Sequence, residues 1–132
     1  MGVNMVTTGQ DEGQFPAQIP RDFPERCKEY AGWLKKNRPI YDAFKNNALD
    51  LIEAGRPTFG ARALAEAARY YSALRDADGE YKINNNIVGL LSRHFSLDCP
   101  QHREFFKERT MLGEPPDPVV SQAILKNALG AV

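Results

Sequence analysis

A chain of 132 residues, 42% hydrophobic and 26% charged, has the composition of one ordinary globular domain and is long enough to bury a core without staples. Seventeen Lys and Arg balance 17 Asp and Glu, which excludes a globally basic nucleic-acid coat and leaves only a local basic face for such a role. No apolar run nears the ~20 residues of a membrane helix and no signal-peptide pattern is present. The two cysteines, Cys27 and Cys99, make no disulfide framework, so a reducing cytoplasm is the expected setting.

Residues 1–24 read as an irregular arm. Pro16, Pro20 and Pro24 would each delete a helical N–H donor, so the arm either lies along the domain through Phe15, Ile19 and Phe23 or is disordered. A helical core is expected over 25–112. Tyr30, Trp33 and Leu34 share one helical face, and Pro39 ends or kinks that helix. A second helix buries Ile40, Phe44, Ala48, Leu51 and Ile52, and stops at Gly55 with Pro57 two residues on.

Thr58 is the expected N-cap of a third helix over 60–74. Its alanine-rich buried face takes Ala61, Leu64, Ala65, Ala68, Tyr71 and Leu74. A turn over 76–79 ends it. Residues 80–83 alternate polar and apolar as in a short strand. Any of Asn84, Asn85 and Asn86 can cap the next helix, which runs to about Leu97 and buries Ile87, Leu90, Leu91 and Phe95. Residues 102–112 suit a helix or a strand equally well. Beyond them, 113–132 read as a proline-rich linker and a short C-terminal helix from about 119 to 129, too short to stand alone in water.

The stretch from Gly55 to Arg109 resembles a loose class of small, uncharacterised phage- and prophage-encoded proteins. The residues that carry the likeness are Gly60 and the alanine-rich helix up to Arg69, Tyr81-Lys82-Ile83-Asn84-Asn85, Arg93, Pro100 and Phe105-Phe106-Lys107-Glu108-Arg109. The resemblance implies a helical protein of the bacterial host cytoplasm, of winged-helix type in one arrangement. It implies no particular activity, because function belongs to sites rather than folds. The fold expected is therefore mainly α, with four to six helices and room for a two-stranded wing made by 80–83 and 105–109.

In the winged-helix arrangement the 86–97 helix is the recognition helix. Asn84, Asn85 and Asn86 stand at its start, Arg93 lies two turns on, and Lys82, Arg103, Lys107 and Arg109 flank it. Side-chain amides read adenine edges or phosphates, and guanidinium groups hold phosphates. Between Glu25 and Thr110 fifteen basic residues face twelve acidic ones, a surplus of three. The plainer reading is a turn, a cap and a solvated face. The expected function is thus a non-enzymatic DNA-binding or regulatory protein.

The alternative is a protein that binds a host protein and inhibits or redirects it. Its contacts would come from the C-terminal helix through Val120, Ile124, Leu125 and Leu129, an apolar stripe of the kind that docks into grooves. The arm, through Phe15, Ile19 and Phe23, is a second peripheral apolar element, and homodimerisation through either is a further option. A third reading, a small metal-dependent nuclease, rests on the acidic turn Asp76, Asp78 and Glu80. Cys27, His94, Cys99 and His102 are the only soft or borderline metal ligands, and they form one tight pair where a zinc site uses two; no metal and no cofactor is expected. No phosphate loop and no nucleophile elbow occurs.

Overall fold

Helix formation starts inside the segment read as an arm. The computed structural model describes residues 22–75 and 83–130, with only the backbone at Ser72 and Arg75. In it α1 spans Phe23–Glu53. Asp22 is the N-cap, its carboxylate accepting from the Glu25 N–H at 3.3 Å, and Pro24 sits in the first turn, where a missing donor costs nothing. Phe23 is fully buried and belongs to the core. Phe23 and Pro24 therefore belong to α1 and not to an arm, because proline marks helix starts as readily as loops.

Pro39 kinks α1 without ending it. It cannot donate to the carbonyl four residues back, and Asn37 leaves helical geometry (φ −130°, ψ 26°). The Asn37 side-chain amide donates to the Trp33 carbonyl at 3.0 Å, giving a partner to backbone that the kink disturbs. After Glu53 the chain turns at Gly55, whose φ of +92° is left-handed.

Helix α2 covers Ala61–Arg75, α3 covers Asn85–Asp98, a 3-10 turn follows at Pro100–His102, and α4 covers Pro118–Gly130. Thr58 does not cap α2. Its hydroxyl instead donates to the Phe105 carbonyl at 2.7 Å and ties the two loops together. Helices α1 and α3 each pack against both α2 and α4, while α2 and α4 do not touch, so they flank the α1–α3 pair.

The core runs along that pair and includes Tyr30, Leu34, Ile40, Phe44, Leu64, Ala68, Leu90, Leu91, Phe95 and Leu125. Trp33, Leu51 and Ile52 pack at its margin. Tyr71 and Leu74 do not join it: they are 57% and 66% exposed, and every described side chain from Arg69 to Leu74 faces solvent. The buried face of α2 ends at Ala68.

No strand occurs among the described residues, so the wing of the winged-helix arrangement is absent there. Residues 80–82 lie outside the described span. At 105–109 the reason is physical. A strand sends neighbouring side chains to opposite faces, but Phe105 and Phe106 are both buried. Phe106 packs on Phe44 and Phe95 with ring centroids 5.1 and 5.4 Å away. Beyond the 3-10 turn, 103–112 form neither helix nor strand. No described helix is long and apolar enough to cross a membrane.

Candidate functional site

Helix α3 has a polar side that its spacing suggests is solvated, and the fold buries it. All seven residues from Leu90 to Ser96 are buried, among them Ser92, Arg93, His94 and Ser96. Burying such groups is costly unless each finds a partner. Each does. Ser92 and Ser96 donate back to the Gly89 and Ser92 carbonyls.

Arg93 lies in a buried ion pair. Its Nε donates to one oxygen of Glu114 and Nη2 to the other, both at 2.8 Å, the fork geometry of a bidentate pair. Nη1 donates to the Gly89 carbonyl and Nη2 also to the Arg109 carbonyl. Only 10% of the Arg93 side chain and 11% of Glu114 are exposed. Burial alone would raise the Glu114 carboxyl, but the Arg93 donors and the Met111 N–H outweigh it and hold it below its ordinary range. Gly113 makes the preceding turn possible with φ +76°, and a Cβ there would come within 3.0 Å of the Phe23 nitrogen. The stretch read as a linker is therefore anchored at its start, by Gly113 and Glu114.

His94 occupies a second buried cluster. The Tyr30 hydroxyl and His94 Nδ1 are 2.7 Å apart, and the imidazole stacks on Tyr41 at 3.8 Å between centroids. The Tyr41 hydroxyl donates to Asp98, which also meets Lys45 at 3.5 Å and His94 Nε2 at 3.7 Å. With Nε2 facing the carboxylate, the fitting tautomer carries its proton there and accepts from Tyr30 at Nδ1.

Burial brings the His94 pKa down to about 4 against the pull of Asp98, and it pushes both tyrosines well up. For Asp98, burial is outweighed by Tyr41, His94 and Lys45, and its pKa falls. Tyr30, Tyr41 and His94 are buried and line neither groove described below, while Asp98 and Lys45 close the cluster at the surface, each with a third of its side chain exposed. It pins α3 to both limbs of α1.

The asparagine triplet is partnered as well. Asn84 caps α3 by accepting from the Ile87 N–H at 2.9 Å. Asn85 accepts from Arg62 and Asn86 from Arg26, both at 2.9 Å. Of the other residues expected to meet nucleic acid, Lys82 lies outside the described residues. Arg103 and Arg109, with Arg93, line a groove of about 530 Å³ beneath Pro115, Pro116 and Val119. Glu104, Glu108 and Glu114 line it too, so the groove carries both signs of charge, with Arg93 and Glu114 in direct contact. Lys107 is exposed outside that lining. The fold thus gathers Arg93, Arg103 and Arg109 but sets them apart from the asparagines.

The partner-binding stripe on α4 is divided. Leu125 is in the core, Ile124 and Leu129 are half-buried against it, and Val120 is 45% exposed. Between α4 and α1 runs a second groove of about 510 Å³, lined by Pro24, Lys28, Ala31, Gly32, Lys35, Ile124, Asn127 and Ala128. Its wall residues on α1 alternate with core residues at spacings legible in the sequence, but which helix would face them was not.

Among the described residues no three His, Cys, Asp or Glu converge as metal ligands. Burial pushes the Cys27 thiol up to about 12 and raises Cys99 as well, so neither is a ready thiolate. Asp76, Asp78 and Glu80, the acids of the nuclease reading, lie outside the described residues. Comparison with protein-family models, curated proteins and solved structures finds no match to the chain.

Proposed function

We propose that this chain is a non-enzymatic protein-binding module that inhibits or redirects its partner, a host protein in the bacterial cytoplasm if the phage resemblance is followed. The observation that carries this reading is the groove between α1 and α4, with its small apolar floor and two lysines on its wall. Recognition is favoured over turnover because His94 and the two tyrosines around it are buried and line neither groove. An affinity pull-down of the full chain from host lysate, with and without nuclease, tests the reading. Capture that survives nuclease and is lost in Asn127→Trp, whose bulk overhangs the groove from an exposed position, is the expected result. Material released by nuclease would overturn it.

One observation favours nucleic acid as a second reading. The N-terminal end of α3 carries exposed Asn84 and Asn85, with the Arg62 and Arg26 guanidinium groups beside it, where a helix end attracts phosphate. Under that reading Arg62→Ala lowers the salt dependence of DNA binding by about 0.9 on a log–log plot, the effect of leaving one phosphate unneutralised. Arg93→Ala is not a usable probe, since it strands the buried Glu114.

A further inference from the structure

Helix α1 passes along the second groove from Pro24 to Lys35, eleven residues or about 16 Å at 1.5 Å per residue. That is three helical turns, a length that suits a helix better than a compact small molecule. Ala31 and Gly32 on α1 and Ala128 on α4 give the floor little relief, which lets another backbone approach closely. Gly32 has no explanation in the fold itself. It sits mid-helix, where glycine weakens the helix, and a Cβ added there would meet nothing within 4 Å. Among the described residues, space is left open over that position.

The wall is one-signed. Lys28 and Lys35 stand two turns apart on one face, no acidic side chain among the described residues lines the groove, and neither lysine makes an ion pair with any described residue. Seven residues at ~1.5 Å each set the two lysines about 10 Å apart along the α1 axis, a spacing that matches carboxylates seven residues apart on a roughly parallel or antiparallel helix. We propose that the α1–α4 groove receives an acidic amphipathic α-helix of a partner protein, its small apolar ridge over Gly32 and its carboxylates on Lys28 and Lys35. This rests on the protein-binding reading above and specifies the partner's chemistry.

The probe is a fluorescent, helix-stabilised peptide with an Ala/Leu ridge and Glu at two positions seven apart, and a twin with Lys at those positions. Wild-type chain is expected to bind the Glu peptide at least tenfold more tightly than the Lys twin, less so as salt rises. Lys28→Glu/Lys35→Glu should invert that preference. Gly32→Leu, with thermal unfolding confirming an intact fold, should weaken the Glu peptide at least tenfold. Equal binding of the twins, no binding, or indifference to Gly32→Leu would overturn the proposal. If peptide binding fails while nuclease-resistant capture is still lost in Asn127→Trp, the acidic-helix idea falls alone and the protein-binding reading stands. A dimer in sedimentation that Gly32→Leu converts to monomer would name a second copy as the occupant, and so would also overturn it.

Discussion

Two residues show opposite relations between side chain and stability. Glu114 holds Arg93 where both are nearly enclosed, so removing one partner leaves the other charge buried and unmatched. Glu114→Gln should therefore cost about 3–5 kcal/mol in urea unfolding, whereas replacing both by apolar groups of similar volume, Arg93→Met with Glu114→Leu, should recover much of it. A single-variant cost below about 1 kcal/mol would mean that the pair is solvated and contributes little. Gly32 is the reverse case, since its backbone is helical and its Cβ direction is empty. Gly32→Ala should raise stability by about 0.5–1 kcal/mol by the same measurement, through helix propensity and a narrower unfolded ensemble. A loss instead would show that the position is crowded within the monomer.

At the scale of elements, spacing reveals which face of a helix is apolar and stays silent on whether the other face is covered. The stripe Ile87, Leu90, Leu91 and Phe95 was legible, as were the stop at Gly55 and an asparagine cap on α3; at Pro39 an end and a kink read alike, and the fold keeps one kinked helix. What made α3 central was not legible. Its polar side is satisfied by Tyr30, 64 residues away, and by Glu114 from a turn that reads as linker. The Phe105-Phe106 pair misleads for a similar reason, because alternation with charges cannot tell a strand from a loop that inserts both rings. Tyr71 misleads through arithmetic alone: the buried stripe of α2 continues to it on paper but stops at Ala68 in the fold. These assignments predict a contrast. Leu90→Ala should cost about 2–5 kcal/mol and Tyr71→Ala no more than about 0.5 kcal/mol in denaturant unfolding. Comparable costs would require a packed outer face on α2.

For the molecule as a whole, the buried cluster makes the joint between α1 and α3 sensitive to acid. The unfolded chain protonates His94 near pH 6.5 and the folded chain near pH 4, because burial disfavours the imidazolium. Between those values the unfolded state binds a proton that the folded state refuses, so stability is complete above about pH 6.5 and falls as pH drops toward 4. At about 1.4 kcal/mol for each tenfold, the displacement corresponds to roughly 3 kcal/mol. The charged groups around the ring are Asp98 on α3 with Arg38, Asp42 and Lys45 on α1, and the opposing signs of their pulls leave burial in command. Asp98 and Glu114, both held below their ordinary range, add further acid loss as pH falls below the carboxylate range. Glu108, raised by burial, opposes them in part. His94→Gln keeps an acceptor for Tyr30 and cannot titrate. Urea unfolding across pH 4 to 7 should give a steep slope for the wild type and a nearly flat one for His94→Gln, whatever the variant's absolute stability. Equal slopes would assign the acid response to the surface carboxylates and leave the cluster with packing as its only role.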